Sequence, residues 1–173
     1  MSQVNGVDVD RVRDIAEGFR ADPASGRTAF SARVRWLDGY RTEATLAEGG
    51  PVAGDEPEAM AGGGTAPSPE DLLLAAVGQC LTVGWVGALS ARGHAIEALE
   101  ITVTGSCELA HAYGVGEGNP GFEAIDVAVA IRSDADPALL EQLADEVLAL
   151  APIPNTVMRP IPVRHRVVEP AGG

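Results

Sequence analysis

The chain has 173 residues, 46% of them apolar, and a formal net charge of −13 at neutral pH. That length fits one domain, large enough to bury a core without disulfides or a structural metal. The acidic balance excludes nucleic acid as an expected partner, because no basic patch stands out to neutralise phosphates. All twelve basic residues are arginine, which excludes lysine-based covalent and general-base chemistry.

The first element expected along the chain is a short amphipathic helix over residues 7–20, whose apolar side chains recur at helical spacing. Residues 28–36 alternate between apolar and polar side chains, as a strand does. Asp38-Gly39 is a strong hairpin signal, and residues 40–46 return as the next strand. If the turn has two residues, Arg41 pairs with Trp36 and shares its apolar face; a bulge would instead return Arg41 to solvent.

Residues 47–67 are rich in Gly, Pro, Ala and acidic side chains, and they are predicted to form a mobile loop. A long helix follows, with Ser68 as its N-cap, Pro69 in the first position and Asp71 completing a capping box. Gly93 is expected to end this helix, about 36 Å further on.

The long helix has no charged side chain from Leu72 to Leu89, which is the length of a membrane span. Gln79, Thr82 and three glycines favour a helix buried on all sides inside a soluble assembly. Small side chains form a stripe along it: Ala76, Cys80, Gly84, Ala88 and Ala91. Such a stripe lets helices approach closely, so we expect the same helix of a second copy to cover it in a twofold homodimer.

The second half of the chain is predicted to contain two alternating strands, residues 96–106 and 122–132, joined by a Gly-rich connection. Asp136 caps a second amphipathic helix, and residues 161–168 form a final strand. These elements predict an α+β protein in which no transmembrane segment and no signal peptide are expected. Two cysteines are too few for a secreted disulfide framework, so a cytoplasmic location is predicted.

Cys80 is the main candidate for chemistry. Buried cysteines are usually inert, and a reactive thiol needs a nearby cation that stabilises its thiolate. Arg41, or Arg35 in its place, could supply that cation, with Glu70 as the partner of an inward arginine. Cys107 and His111 could form only half of a zinc site, so neither a metal nor a cofactor is predicted.

Two stretches resemble the OsmC/Ohr family of osmotically inducible and organic hydroperoxide resistance proteins. The first is PSPEDLLLAAVGQCLTVGWVGALSARGHAIEALEITVTG, residues 67–105, and the second is NPGFEAIDVAVAIRSDADPALLEQLADEVLALAPIPNTVMRPIPV, residues 119–163. The resemblance implies an intertwined homodimer with a curved antiparallel sheet around long central helices. Residues 1–27 would be an N-terminal helical extension and residues 28–173 the OsmC-like domain.

The resemblance also implies thiol-dependent reduction of organic hydroperoxides. Cys80 matches the family's peroxidatic cysteine, and Glu70 matches the carboxylate that orients an arginine, most plausibly Arg41. The family's resolving cysteine is absent, because Ala151 stands in its place before Pro152. Two hypotheses follow: a one-cysteine peroxidase that depends on an external thiol, and a non-enzymatic dimer that binds a small hydrophobic molecule or a protein.

Overall fold

The computed structural model describes residues 3–169. Their strands are β1 (Gln3–Val4), β2 (Val7–Asp8), β3 (Ala32–Asp38), β4 (Arg41–Leu46), β5 (Val52–Gly54), β6 (Ile96–Cys107) and β7 (Phe122–Ser133). Their helices are α1 (Val9–Ala21), α2 (Pro69–Ala91), α3 (Leu109–Ala112), α4 (Pro137–Leu150) and α5 (Pro152–Val157). The α+β class and the antiparallel pairing predicted from the sequence are confirmed.

The N-terminal helix predicted over residues 7–20 is confirmed as α1, and the Asp8 carboxylate caps it by accepting a hydrogen bond from the Arg11 N–H. The division into an extension (1–27) and a domain (28–173) stays a prediction. Its outer ends, residues 1–2 and 170–173, lie outside the described residues.

Asn5 ties the β1–β2 hairpin to the rest of the chain. Its side-chain N–H groups donate to Ser90 Oγ at 3.0 Å and to the His94 carbonyl at 2.9 Å. Its side-chain oxygen accepts from the Ile96 N–H at 2.9 Å. The Asn5 side chain therefore links the N-terminal hairpin by hydrogen bonds to the end of α2 and to the first residue of β6.

The strands form separate antiparallel sheets. β6 and β7 pair along their whole length, while β3, β4 and β5 form a three-stranded sheet. The final strand predicted over residues 161–168 does not form in this chain, where these residues are exposed and carry no strand. A strand is stable only when it pairs with a neighbouring strand. Among the described residues, no strand pairs with residues 161–168.

Helix α2 forms the centre of the core. Residues spaced four apart bury one side of it: Val77, Leu81, Trp85 and Leu89. This face packs with the buried Leu143 and Val147 of α4 and with inward residues of β6 and β7. By length and composition α2 could also cross a membrane. The core helix of a soluble protein passes the same test, and α2 packs on α4 and β6 along one side, with 22% of its apolar stretch buried in this chain.

The small-residue stripe of α2 faces this chain's own α4 at Gly84, whereas the sequence suggested the same helix of a second copy. A Cβ at Gly84 would lie 2.8 Å from Val147 Cγ1, so only glycine fits without movement. The close helix approach therefore exists within one chain.

Gly84→Ala is expected to destabilise the protein by about 1–3 kcal/mol, because the added methyl overpacks against Val147. Gly87 is the matched control, since a Cβ there meets nothing within 4 Å. Gly87→Ala should leave stability unchanged or raise it by about 0.5–1 kcal/mol through helix propensity. Urea unfolding of both variants measures the difference; equal stabilities would contradict the close α2–α4 contact.

Candidate active site around Cys80

The predicted capping box of α2 is confirmed. Ser68 Oγ accepts a hydrogen bond from the Asp71 N–H, and the Asp71 carboxylate accepts one from the Ser68 N–H, each at 3.1 Å. The first turn therefore has a fixed start, which carries Glu70. Cys80 follows ten residues later, about 15 Å along the helix axis. Glu70 therefore does not contact the Cys80 thiol within this chain.

Cys80 is half-buried and lines a pocket of about 760 Å³ between α2 and the α4–α5 corner. The pocket walls are mainly apolar and include Val83, Leu150 and Ile153. Ala151, only 4% exposed, lines the same pocket. Cys80 and Ala151 therefore open onto the same cavity.

Arg92 and Glu146 also line this pocket, and no pattern in the sequence pointed to either residue. Arg92 Nη2 donates to both carboxylate oxygens of Glu146, at 2.8 and 3.0 Å. Arg92 lies twelve residues after Cys80, about 18 Å along α2, so it does not contact the thiol. No sequence signal joins these two residues, which are 54 positions apart.

Arg41 does not line the Cys80 pocket in this chain. Asp38 pairs with Arg41 and Trp36 pairs with Thr42, with a register shift between Trp36 and Asp38. The bulge alternative is therefore the observed one. Arg41 forms an exposed ion pair with Asp38 at 3.3 Å, on the face of the hairpin opposite to Trp36.

Arg35 occupies a similar place. Its guanidinium binds the Glu43 carboxylate across the β3–β4 hairpin, at 2.8 and 3.1 Å. Neither candidate arginine lies beside Cys80 in this chain, so the hairpin supplies no cation to the thiol here.

Residues 47–67, predicted to form a mobile loop, contain a short strand and a hydrogen-bonded turn. The strand is β5, and Asp55 follows directly with a side chain only 2% exposed. Its carboxylate accepts hydrogen bonds from the N–H groups of Glu56, Gly63 and Thr65 and from the Thr65 hydroxyl. The Thr65 hydroxyl and then these N–H groups lower the pKa of Asp55 from 3.8 to about 2.

This lowered pKa predicts a loss of stability in acid. As the pH falls, the unfolded chain takes up a proton at Asp55 before the folded one does, so the stabilisation is complete above about pH 4 and is lost towards about pH 2. Urea unfolding should show wild type more stable than Asp55→Asn at neutral pH, with the difference shrinking across that interval. A difference that does not change with pH would contradict the assignment.

Glu56 and Glu70 form an acidic neighbourhood at the start of α2. Partial burial, then the charge of Glu70, and then those of Asp55 and Asp71 raise the pKa of Glu56. Glu70 itself is exposed.

The two side chains of the half zinc site find no third ligand. Among residues 3–169, no group of three or more metal-binding side chains comes together. Cys107 lies opposite Phe122 at the end of β6, and the His111 ring packs against Gly118.

Cys107 is also distant from Cys80. Val103 packs on Gly78 and Gly105 packs on Leu74, so β6 runs towards the N-terminus of α2. Six residues of helix and two of strand then separate the cysteines by about 15 Å. A disulfide requires Cα atoms within about 7 Å, so this geometry excludes a direct bridge.

The fold is an α+β arrangement in which a long helix packs on an antiparallel sheet and carries a half-buried thiol. The OsmC-like protein family model matches residues 62–166, and the chain belongs to this family. No curated protein sequence matches it.

Solved structures agree in fold. An OsmC-like protein from Mycoplasma pneumoniae superposes with a TM-score of 0.65 at 19% identity, covering 76% of this chain and 88% of that one. An organic hydroperoxide resistance protein from Legionella pneumophila gives 0.56 at 16%, covering 76% and 91%. The organic hydroperoxide resistance protein OhrB of Bacillus subtilis gives 0.50 at 21%, covering 74% and 90%.

Proposed function

We propose that the protein reduces organic hydroperoxides, with Cys80 as its peroxidatic nucleophile and an external thiol as its reductant. The observation that carries the proposal is the half-buried thiol that opens onto an apolar pocket of about 760 Å³. A pocket of this size and lining suits the hydrocarbon part of an organic hydroperoxide. The names of the Legionella and Bacillus proteins support the same reaction here.

In the proposed cycle, the Cys80 thiolate attacks one oxygen of the hydroperoxide and the O–O bond breaks. Cys80 becomes a sulfenic acid, and the leaving alkoxide takes up a proton to give the alcohol. Because Ala151 supplies no second thiol, an external thiol condenses with the sulfenic acid, releasing water and leaving a mixed disulfide. A second external thiol then restores Cys80. The reducing cytoplasm predicted from the sequence would supply such thiols.

The thiolate needs a cation, and we assign that role to Arg41 of a second copy, oriented by Glu70. Arg35 of the same hairpin is the alternative. Both arginines are exposed on the face of the β3–β4 hairpin opposite to Trp36, and they would reach the pocket of the second copy around the edge of the hairpin. Arg92 lies about 18 Å along α2 from Cys80. Alanine variants of Arg41 and Arg35, compared for the alkylation rate of Cys80, decide between the two.

A homodimer is part of this proposal. One face of the β3–β4 hairpin presents apolar side chains to solvent, with Trp36 71% and Val34 62% exposed. On α2, Val83 is 73% exposed. Exposed apolar surface of this extent is typical of an interface, and the second copy would cover both regions.

The test is the consumption of cumene hydroperoxide with several thiol donors. Wild type should accelerate it over free thiol, Cys80→Ser should abolish the acceleration, and Cys107→Ser, the matched control, should retain it. A sulfenic-acid probe should label Cys80 and not Cys107. Retained turnover in Cys80→Ser would refute the proposal.

The second candidate function is the non-enzymatic binding of a small hydrophobic molecule. It is favoured by the placement of both hairpin arginines away from Cys80 and by the absence of a thiol at Ala151. Binding of a fluorescent apolar probe to wild type and Cys80→Ser alike, without peroxide consumption, would support this function instead.

A further inference from the structure

We infer that Asp55 is a positioning residue of the Cys80 site, acting through Glu70 by fixing the segment that enters α2. The inference rests on the proposed function, in which Glu70 orients the arginine that activates Cys80. Asp55 contacts neither the thiol pocket nor a substrate. Its effect is transmitted by the loop that its carboxylate holds together.

The first support is the completeness of the hydrogen bonding at Asp55. One carboxylate oxygen accepts from the Glu56 N–H at 2.8 Å and from the Gly63 N–H at 3.3 Å. The other accepts from Thr65, from its N–H at 3.0 Å and its hydroxyl at 2.7 Å. Burying a carboxylate costs free energy unless hydrogen bonds replace its contacts with water. The donors from Glu56, Gly63 and Thr65 provide these bonds, so the loop folds around the Asp55 carboxylate.

The second support is the close packing of the loop on itself. The Gly64 N–H donates to the Glu56 carbonyl at 3.0 Å. A Cβ at Gly62 would collide with that same Glu56 carbonyl, so the approach of the two backbone segments requires glycine. The loop therefore has little freedom to adopt another shape while Asp55 is in place.

The third support is the position of this centre between the sheet and the helix. Asp55 directly follows β5, whose residue Gly54 accepts a hydrogen bond from the Thr42 hydroxyl of β4. The Asp55 N–H donates to the Pro67 carbonyl at 3.2 Å, immediately before the Ser68 cap. Asp55 thus joins the three-stranded sheet to the first turn of α2.

The last step leads to Glu70. This residue lies in the first turn of α2, two residues after the Ser68 cap. Asp55 also binds the backbone N–H of Glu56, and the negative charge of Glu70 acts on the Glu56 carboxyl group. Loss of the Asp55 contacts would let the first turn and Glu56 shift together. A displacement of about 1 Å at a positioned group can cost up to about 100-fold in rate.

The experiment uses the Cys107→Ser background, so that alkylation by iodoacetamide reports on Cys80 alone. Asp55→Asn keeps one acceptor oxygen and replaces the other by an NH2 group, so it cannot accept from the Thr65 donors and from the Glu56 and Gly63 N–H groups together. We therefore expect the alkylation rate at neutral pH to fall about tenfold or more. Glu70→Gln should cause a similar loss. The double variant should lose no more than either single variant, because both changes interrupt the same path.

Asp136→Asn is the matched control. Asp136 is also a capping carboxylate, accepting from the Ala138 N–H at 2.8 Å, but it caps α4 instead of the segment before α2. Because asparagine also caps helices well, this variant should change stability little, and the alkylation rate of Cys80 should stay at the wild-type value.

Thr65 keeps the test decisive if Asp55→Asn fails to fold. Thr65→Val removes only the 2.7 Å hydroxyl contact and should slow alkylation, while Thr65→Ser should restore it. An unchanged alkylation rate in Asp55→Asn overturns the inference, and Thr65→Val takes its place if Asp55→Asn does not fold. The inference is also overturned if the rate loss in the double variant with Glu70→Gln equals the product of the two single losses. Alkylation that depends on Asp55 in a protein that consumes no hydroperoxide would instead refute the proposed function and leave the inference standing.

Discussion

Ala151→Cys is expected to give Cys80 an intrachain disulfide partner after treatment with one equivalent of hydroperoxide. Ala151 and Cys80 line the same pocket, and Ala151 is buried at the junction of α4 and α5. A thiol at this position would intercept the sulfenic acid before further oxidation. Intact-mass spectrometry should show the loss of two hydrogens, and turnover with a dithiol reductant should rise.

Ala91→Cys is the matched control for this experiment. Ala91 lines the same pocket but lies eleven residues further along the rigid helix, about 16 Å from Cys80. It should form no bridge. Wild type should end as a sulfenic acid, a mixed disulfide or an over-oxidised acid. An intrachain bridge in wild type would identify Cys107 as a resolving residue and would contradict the separation of about 15 Å between Cys80 and Cys107.

Trp36→Glu is expected to dissociate the proposed homodimer. Trp36 is largely exposed within its own chain, and a tryptophan at the centre of an interface contributes about 2 kcal/mol or more. A twofold dimer contains the residue twice, so the dissociation constant should rise by roughly a thousandfold. Analytical ultracentrifugation at micromolar concentration measures this change.

Arg33→Glu tests whether the effect comes from the apolar face. Arg33 lies on the same strand as Trp36 but on its other face, and the substitution also introduces a carboxylate. The dimer should persist in this variant. A folded wild-type monomer at micromolar concentration would contradict the proposed dimer itself.

Local chemistry made several elements predictable. The start of α2 follows from Ser68, Pro69 and Asp71, which interact within one turn and need no other part of the chain. The long strands were predicted within one residue of their observed ends, because alternation along a strand is also a local pattern.

Non-local contacts explain the differences. The bulge before Asp38 is set by the pairing of β3 with β4, so the turn residues alone did not reveal it. The composition of the 47–67 loop concealed Asp55, because its hydrogen bonds reach as far as Thr65. The shared pocket of Cys80 and Ala151 brings together residues 71 positions apart, and only the family resemblance pointed to it.

The Asn5 amide has a consequence for folding during synthesis. Its three partners lie between residues 90 and 96, so the ribosome must add about 90 further residues before all of them exist. At roughly 5–20 residues per second, residues 3–8 wait for about 5 to 18 seconds before their native contacts become available. Closing so large a loop places this contact among the later ones to form. The N-terminal hairpin is therefore expected to lock the end of α2 only after that helix has packed.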